Sequence, residues 1–485
     1  MFNKCFKLII LFIAVNGCYS VQAQSKSFIS AGKKLRSKVF DKNIEMILQE
    51  TGIPAISIAI IEDNKVVFSN GYGIKEKGKP DKVNGETLFE GCSLSKTFLV
   101  YLAYRLVDEG KLELNRPLYK YLPYKPLEYD ERYKKITAKM VLNHSSGLEN
   151  WQAMNDPQKL EILSAPGEKF GYSGEGFNYL AAVIEVILGV DYEHYMNELV
   201  YAPLNLERTF SSFSKDGNFP LNYAIGHQTF GTKVKKMKND IPVPAGGNHF
   251  TAKDYATLIT TIFDGKHLSL DSRKTLLDTI VSLKQYSSSK YFYGQGFEIM
   301  INNGDTIISQ GGSNPGFKAL LFYSVPTRRG FVMLTNSDRG KWIAEKISEL
   351  TVKLNLKPFF EQSYQQYPSQ TISLLKSFDD GGKEKMFQDI ESYHKTNHLE
   401  EPTLNELADI FNGNYTSIAK EVLEQAIIIN PDSPKSFYLL GSINMKLNNY
   451  TQARDLLLKA QSLHSDEWDL KEKIASCEEI LKKRQ

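Results

Sequence analysis

A hydroxyl and an amine lie three residues apart, where a helix is predicted to begin, in Ser93-Leu94-Ser95-Lys96. On a helix, positions i and i+3 share a face, so the Lys96 amine can reach the Ser93 oxygen. An unactivated serine is a poor nucleophile, and an adjacent base makes it useful. The pair therefore predicts covalent catalysis through Ser93. Taken alone, the pattern arises by chance in a chain this long, and a serine at a helix start is more often a structural residue.

The helix that must hold this pair is predicted from apolar spacing. The apolar residues that recur on its face are Phe98, Leu99, Leu102, Leu106 and Val107. Gly110 then supplies a typical helix end. Ser93 falls in the first turn, where unpaired amides and the helix dipole favour developing negative charge.

Further motifs surround the pair in a fixed order along the chain. They are Gly71-Tyr72-Gly73, Thr87-Leu88-Phe89, Leu114-Asn115-Arg116-Pro117, Tyr121-Leu122-Pro123, Ile136-Thr137-Ala138, His144-Ser145-Ser146-Gly147-Leu148, Pro166-Gly167-Glu168-Lys169-Phe170 and Gly311-Gly312-Ser313-Asn314-Pro315-Gly316-Phe317. Over residues 35 to 355 this ordered set resembles the serine β-lactamase and penicillin-binding protein superfamily, specifically its class C and esterase-like branch.

The resemblance implies a role for each matching residue. Ser93 corresponds to the acylated serine and Lys96 to its lysine, while Tyr172 takes the place of the tyrosine in the family's Tyr-x-Asn motif. The oxyanion hole would use the backbone amides of Ser93 and Ser313. A lysine ammonium would favour tyrosine phenolate, whereas desolvation would favour neutral lysine. The residues therefore leave the general base open between Lys96 and Tyr172.

Two departures from the family pattern concern substrate binding. Gly174 stands where the family usually has an asparagine that holds the lysine and contacts substrate amides. The third motif, Lys-x-Gly or His-x-Gly in the family, is Gln310-Gly311-Gly312 here, so the cation that would bind a β-lactam carboxylate is missing. We therefore expect an esterase or a D-amino-acid peptidase rather than an efficient β-lactamase. A glycine-rich turn would explain Gln310-Gly311-Gly312 equally well.

Several other chemistries are excluded by pattern. The eight histidines are scattered without a His-Glu-x-x-His pair, so we expect no metal site and no cofactor. His144 is interpreted as support for a loop and a helix. Gly91-Cys92-Ser93-Leu94-Ser95 lacks the second glycine of a nucleophile elbow. A formal net charge of +3, without a long basic run, gives no reason to expect a nucleic-acid partner.

The N-terminus is typical of a secretory signal covering residues 1–23. A basic start precedes an apolar run, Leu8 to Val15, that is too short to cross a bilayer, and cleavage is expected after Ala23. An alternative is lipoprotein processing at Val15-Asn16-Gly17-Cys18, which would anchor the protein by lipid at Cys18. Both predict a secreted or periplasmic protein without a transmembrane span. Cys92 and Cys477 are then expected to be buried thiols without a disulfide framework.

The distribution of strands and helices predicts an α+β fold for residues 24–358. Strand candidates lie at both ends of this region, at Ala55 to Ile61, Lys65 to Ser69, Thr306 to Ser309, Phe317 to Val325 and Gly330 to Thr335. The region between them is mostly helical in pattern, for example Thr137 to Asn143, Tyr179 to Leu188 and Ala252 to Phe263. These patterns predict one antiparallel sheet flanked by helices, with a mostly helical subdomain.

The C-terminal part differs in composition. Residues 359–400 are predicted to form a linker and helical connection, including a helix candidate at Glu384 to His394. In residues 401–485, Ala419, Leu423 and Ala426 recur 34 residues later as Ala453, Leu457 and Ala460, which resembles the tetratricopeptide repeat. A generic helical hairpin with accidental periodicity is the alternative.

The sequence supports two hypotheses about function, one for an enzyme and one for a binding or sensor protein. The first is a secreted serine hydrolase acting on a small-molecule or peptidoglycan-like substrate, such as an ester, an amide or a D-amino-acid peptide. The second is a non-turnover penicillin-binding or sensor protein whose repeats bind a protein partner.

Overall fold

The computed structural model describes residues 27–152, 159–212, 221–235, 240–278, 281–285, 289–302, 304–360 and 366–484. The predicted signal and the alternative lipid anchor at Cys18 lie outside these residues, as do residues 361–365 of the predicted linker. Within the described ranges, no helix combines the length and the apolar character needed to cross a membrane.

The strands are numbered here in chain order. They are β1 (Ser27–Ser30), β2 (Lys33–Arg36), β3 (Ala55–Glu62), β4 (Lys65–Gly73), β5 (Phe89–Glu90), β6 (Thr209–Phe210), β7 (His249–Phe250), β8 (Val281–Gln285), β9 (Ser289–Tyr293), β10 (Glu298–Asn302), β11 (Asp305–Asn314), β12 (Phe317–Ser324) and β13 (Arg329–Thr335). Eight of them form the antiparallel central sheet in the order β4-β3-β13-β12-β11-β10-β9-β8. A three-stranded sheet, β5-β7-β6, and the hairpin β1-β2 complete the β structure of the described residues.

The helices are numbered in the same way. They are α1 (Ser37–Thr51), α2 (Ser95–Asp108), α3 (Ala138–Leu142), α4 (Gly174–Leu188), α5 (Tyr192–Met196), α6 (Ala252–Ile262), α7 (Leu270–Leu276), α8 (Ala344–Leu350), α9 (Lys357–Phe360), α10 (Gln370–Lys395), α11 (Glu401–Asn412), α12 (Thr416–Ile429), α13 (Pro434–Lys446), α14 (Tyr450–Ser462) and α15 (Leu470–Arg484). Short 3₁₀ segments include Cys92–Leu94 and Asp338–Ile343. Helix α10 is kinked at Gly381 and Gly382, where the backbone angles are not helical.

The central sheet is covered by helices on both faces, which confirms the predicted α+β fold. Strand β3 is buried from Ala55 to Ile61 because both of its faces lie against apolar layers. A two-residue turn joins β3 to β4, and its residues Asp63 and Asn64 have φ of 48° and 56°. Positive φ at both positions gives a hairpin turn whose twist matches that of the strands.

The predicted strands are confirmed, and β11 is longer than predicted. It continues through Gln310-Gly311-Gly312 to Asn314, so the turn interpretation of this glycine pair is wrong. Glycine has low strand propensity, but pairing with β12 supplies the hydrogen bonds that hold these residues extended. Strands β8 to β10 were not predicted from the sequence.

The C-terminal region from α10 to α15 is helical and packs against the rest of the chain. Helices α12 and α14 begin 34 residues apart, at Thr416 and Tyr450, as the periodicity requires. That these helices are tetratricopeptide repeats stays a prediction, as does the domain division at residues 358 and 400. The thiols of Cys92 and Cys477 are buried, and no disulfide joins them.

A buried ion pair and an aromatic cluster hold the helical tail in place. The Arg339 guanidinium donates to both carboxylate oxygens of Asp379, at 2.5 and 2.9 Å, and these side chains are 3% and 11% exposed. Phe230 packs against Phe378 and Phe411 of the tail, with ring centroids 5.8 and 5.0 Å away. The tail therefore shares buried surface with the region that carries the predicted site.

Candidate active site

Ser93 lies in the 3₁₀ turn Cys92–Leu94, directly before α2. Cys92 has a φ of 51°, a left-handed conformation that is uncommon for residues other than glycine. The Ser95 hydroxyl holds this turn, because it donates to the Cys92 carbonyl at 2.6 Å and accepts from the Asn248 amide at 3.0 Å. The nucleophile candidate is therefore positioned by contacts beyond its own helix.

Lys96 is buried beside Ser93, with only 1% of its surface exposed. Its Nζ donates to the Ser93 Oγ at 3.3 Å and to the main-chain carbonyl of Ala245 at 2.6 Å. Burial disfavours the ammonium form and lowers the pKa of Lys96 to about 7. Near neutral pH a large fraction of this side chain is therefore an uncharged amine that can accept a proton.

Three aromatic rings surround the Lys96 amine. Its Nζ lies 4.9 Å from the ring centroid of Tyr172, 5.6 Å from that of Phe177 and 5.8 Å from that of Trp151. Aromatic faces attract a cation, so they offset part of the desolvation of the ammonium form.

Tyr172 lies beside the Lys96 amine and packs against His144. Burial raises the pKa of the Tyr172 phenol, while its side-chain interactions with Ser93 and Gln310 act in the opposite direction. The His144 ring stacks on Tyr172 with centroids 4.0 Å apart, and the His144 Nδ1 accepts from the Ser173 amide at 3.1 Å. Burial and the charge of Lys96 hold the pKa of His144 well below its usual value. A neutral His144 thus supports Tyr172, in line with its predicted structural role.

Gly174 is the first residue of α4 and lies against Trp151. The Gly174 amide donates to the Asn150 side-chain oxygen at 3.0 Å. A Cβ at this position would lie 2.9 Å from two carbons of the Trp151 indole and 3.0 Å from the Asn150 carbonyl oxygen. The space beside Gly174 is therefore already filled.

Strand β11 passes directly beside the Ser93 turn. A Cβ at Gly312 would lie 2.9 Å from the Cβ of Cys92, so only glycine permits this approach. The next residue, Ser313, has an exposed side chain, and Gly311 is half-buried. At the end of the strand, the Asn314 side-chain Nδ2 donates to the Glu90 carboxylate at 2.9 Å.

The Gln310 side chain points into the protein, with 2% of its surface exposed. It accepts from the Tyr293 hydroxyl at 3.4 Å and donates to the Gly311 carbonyl at 3.3 Å. Both hydrogen bonds are long, and neither partner is charged.

The structure thus brings together Ser93, Lys96 and Tyr172, and it places Gly174 and Gln310 at the edge of the same cluster. Two contributors were missed by sequence reasoning. The Ala245 carbonyl lies 149 residues from Lys96 along the chain, and no local pattern connects them. Trp151 carried a weak signal, since it follows the His144 motif closely and Gly174 leaves a space for a large side chain.

The chain resembles known proteins both in sequence and in fold. The protein-family model described as Beta-lactamase matches residues 40–353. Protein flp of Staphylococcus aureus (strain N315) is 25% identical over 362 residues, covering 70% of this chain and 69% of that protein. A Beta-lactamase of Yersinia enterocolitica is 25% identical over 272 residues, covering 54% of this chain and 68% of that protein.

One solved structure illustrates the similarity of fold. The octameric penicillin-binding protein homologue from Pyrococcus abyssi matches with a TM-score of 0.57 and 23% sequence identity, covering 65% of this chain and 77% of that chain. The shared architecture confirms the predicted β-lactamase-like sheet with its flanking helices.

Proposed function

The chain belongs to the β-lactamase family, and we propose that it is a serine hydrolase that works through an acyl-enzyme on Ser93. The observation that carries the proposal is the contact between the Ser93 hydroxyl and the buried amine of Lys96. A lysine with its pKa lowered to about 7 is a suitable base for a serine near neutral pH.

The proposed mechanism begins with proton transfer from Ser93 to the neutral Lys96 amine. The Ser93 oxygen then attacks an ester or amide carbonyl, and the backbone amides of Ser93 and Ser313 stabilise the oxyanion. Tyr172, kept as a neutral phenol by its raised pKa, gives a proton to the leaving group and regains one from Lys96. Water then attacks the carbonyl carbon of the acyl group, and the same residues carry its proton back to the Ser93 oxygen. The bond to Ser93 breaks and the acid is released. The opposite pKa directions of Lys96 and Tyr172 support Lys96 as the base.

The proposed substrates are esters or amides, including D-amino-acid peptides, rather than chiefly β-lactams. Gly174 offers no side chain for a substrate amide, and Gln310 is buried and uncharged. Gly174, Gln310, Gly311 and Gly312 are the proposed substrate-binding positions. The N-terminal sequence supports a site of action outside the cytoplasm.

The test compares wild-type protein spanning residues 24–485 with Ser93→Ala. Both are assayed on activated esters, D-alanyl peptides and cephalosporins, and both are treated with a fluorophosphonate probe followed by mass spectrometry. We expect a probe adduct on Ser93 and a loss of turnover of about a thousandfold or more in Ser93→Ala. Equal labelling of Ser93→Ala, or no reaction of the wild type with any of these compounds, would overturn the proposal.

The burial of Gln310 favours one second candidate, a penicillin-binding or sensor protein that is acylated but releases the acyl group slowly. In that case the helical tail would carry the function by binding a protein partner. Mass spectrometry over time distinguishes the two. Rapid loss of a penicillin or ester adduct from Ser93 indicates an enzyme, whereas an adduct that persists for hours indicates a sensor.

A further inference from the structure

The contact between Trp151 and Gly174 points to a residue that determines specificity. We propose that the Trp151 indole takes the volume left by the missing side chain at Gly174 and forms an apolar wall of the acyl site. The site then favours esters with apolar acyl groups over substrates that present an amide at this position. The inference rests on the proposed acylation of Ser93 and concerns which acyl groups reach it.

The Trp151 indole leaves no room for a side chain at Gly174. A Cβ at Gly174 would lie 2.9 Å from the Cζ3 and Cη2 atoms of Trp151, a distance that real Cβ atoms essentially never show. The backbone of Gly174 lies in no conformation reserved for glycine, so any residue could adopt it. Glycine is therefore required here by its neighbours, chiefly the Trp151 indole together with the Asn150 main-chain carbonyl at 3.0 Å, and not by its own backbone conformation.

The residues on both sides of Trp151 are fixed to the start of α4. The main-chain carbonyl of Asn150 accepts from the amides of Gly174 and Glu175, at 3.0 and 3.2 Å. On the other side, the Gln152 amide donates to the Glu175 carboxylate at 3.1 Å. These bonds hold the backbone on both sides of Trp151 beside the start of α4.

The indole lies close to the groups that are proposed to react. Its centroid lies 5.8 Å from the Lys96 amine, and its Cη2 atom lies 3.9 Å from where a Cβ of Gly246 would be. It thus spans from the start of α4 to the segment whose Ala245 carbonyl binds Lys96. The side chain is 47% exposed, so a substrate can contact it.

The chemistry of that wall selects the substrate class. The indole atoms nearest Gly174 are carbons, which neither donate nor accept hydrogen bonds. A substrate amide desolvated against them loses its water without gaining a partner, whereas an alkyl or aryl group gains apolar contact. One unmade hydrogen bond of this kind corresponds to roughly a tenfold to hundredfold preference.

The experiment uses Trp151→Ala, Trp151→Phe, Gly174→Asn and the double variant Trp151→Ala/Gly174→Asn. Each is assayed for kcat/KM with p-nitrophenyl butyrate and with nitrocefin, a cephalosporin that carries an amide side chain. We expect Trp151→Ala to lower the ester-to-cephalosporin ratio about tenfold and the double variant to lower it further. Trp151→Phe should keep most of the wild-type ratio. Gly174→Asn alone should be the poorest enzyme, because its side chain collides with the indole.

Fluorophosphonate labelling of Ser93 separates this inference from the proposed function. The matched control is Gly171→Ala, since a Cβ at Gly171 meets nothing within 4 Å and its kinetics should equal those of the wild type. If wild-type Ser93 takes up no probe, the proposed function itself fails. If Ser93 is labelled normally but the substrate ratio is the same in wild type, Trp151→Ala and the double variant, the role of Trp151 is overturned.

Discussion

The two sides of the Ser93 site differ in what they retain of the family pattern. On the acylation side, Lys96 is buried and bound to the Ser93 hydroxyl and the Ala245 carbonyl, at 3.3 and 2.6 Å. On the recognition side, Gly174 has no side chain, and Gln310 is an uncharged side chain with hydrogen bonds of 3.3 and 3.4 Å to the Gly311 carbonyl and the Tyr293 hydroxyl. Under the proposed function, this chain keeps the groups proposed to make and break bonds, while the groups proposed to choose the substrate differ from the family pattern.

The largest expected effect is on the acylation side, in Lys96→Met. This change removes the amine but keeps an apolar side chain of similar length, so the fold should persist. We expect the rate of fluorophosphonate labelling of Ser93 to fall by about a hundredfold to ten-thousandfold, the usual contribution of a general base. Lys42→Met, at an exposed position on α1, is the matched control and should label normally. A Lys96→Met protein that labels at the wild-type rate would assign the base elsewhere.

The pH dependence of acylation should report the same lysine. Because burial lowers the pKa of Lys96 to about 7, the neutral amine decreases about tenfold per pH unit below that value. The labelling rate should therefore rise with pH up to about pH 7 and then level off. A rate that instead rises only above pH 9 would point to an ordinary lysine or to Tyr172. The inflection should be absent in Lys96→Met.

A smaller effect is expected on the recognition side, in Gln310→Ala. Gln310 makes long hydrogen bonds to Tyr293 and Gly311 and an uncharged side-chain interaction with Tyr172, so p-nitrophenyl ester turnover should fall by at most about tenfold, the value of one ordinary hydrogen bond. Steady-state kinetics measures this. A loss approaching that of Lys96→Met would place Gln310 in the catalytic machinery and remove the contrast between the two sides.

The smallest effect on Ser93 labelling is expected for Arg339→Met, which breaks the ion pair with Asp379 of the C-terminal helices. Leaving the buried Asp379 carboxylate without its partner should lower the free energy of unfolding by about 3 kcal/mol. Chemical denaturation measures this, while Ser93 labelling of the folded protein should be unchanged. Arg328→Met is the control, since the Arg328 to Asp63 pair is exposed and 3.7 Å long. A labelling rate that falls with Arg339→Met would show that the tail acts on the acylation side.

Much of the fold could be predicted because its signals are local. The continuous apolar run of β3 and the spacing of α2 were recognised from the sequence and are confirmed, as is the α+β class. Strands β8 to β10 were not recognised from the sequence, although each is as long as the predicted candidate Lys65 to Ser69; their place in the sheet is fixed by antiparallel pairing with one another and with β11. The extended form of Gln310-Gly311-Gly312 was also missed, since pairing with β12 overrides the turn preference of glycine.

The sequence by itself determined the order of motifs, the Ser93 and Lys96 spacing and the absence of a side chain at Gly174. These are residue types and spacings that can be read directly from the sequence. Only the tertiary structure decided that Lys96 is buried against the Ala245 carbonyl, that its pKa falls, and that Trp151 fills the space beside Gly174. Desolvation and steric contact depend on residues that meet from distant parts of the chain, so no local pattern contains them.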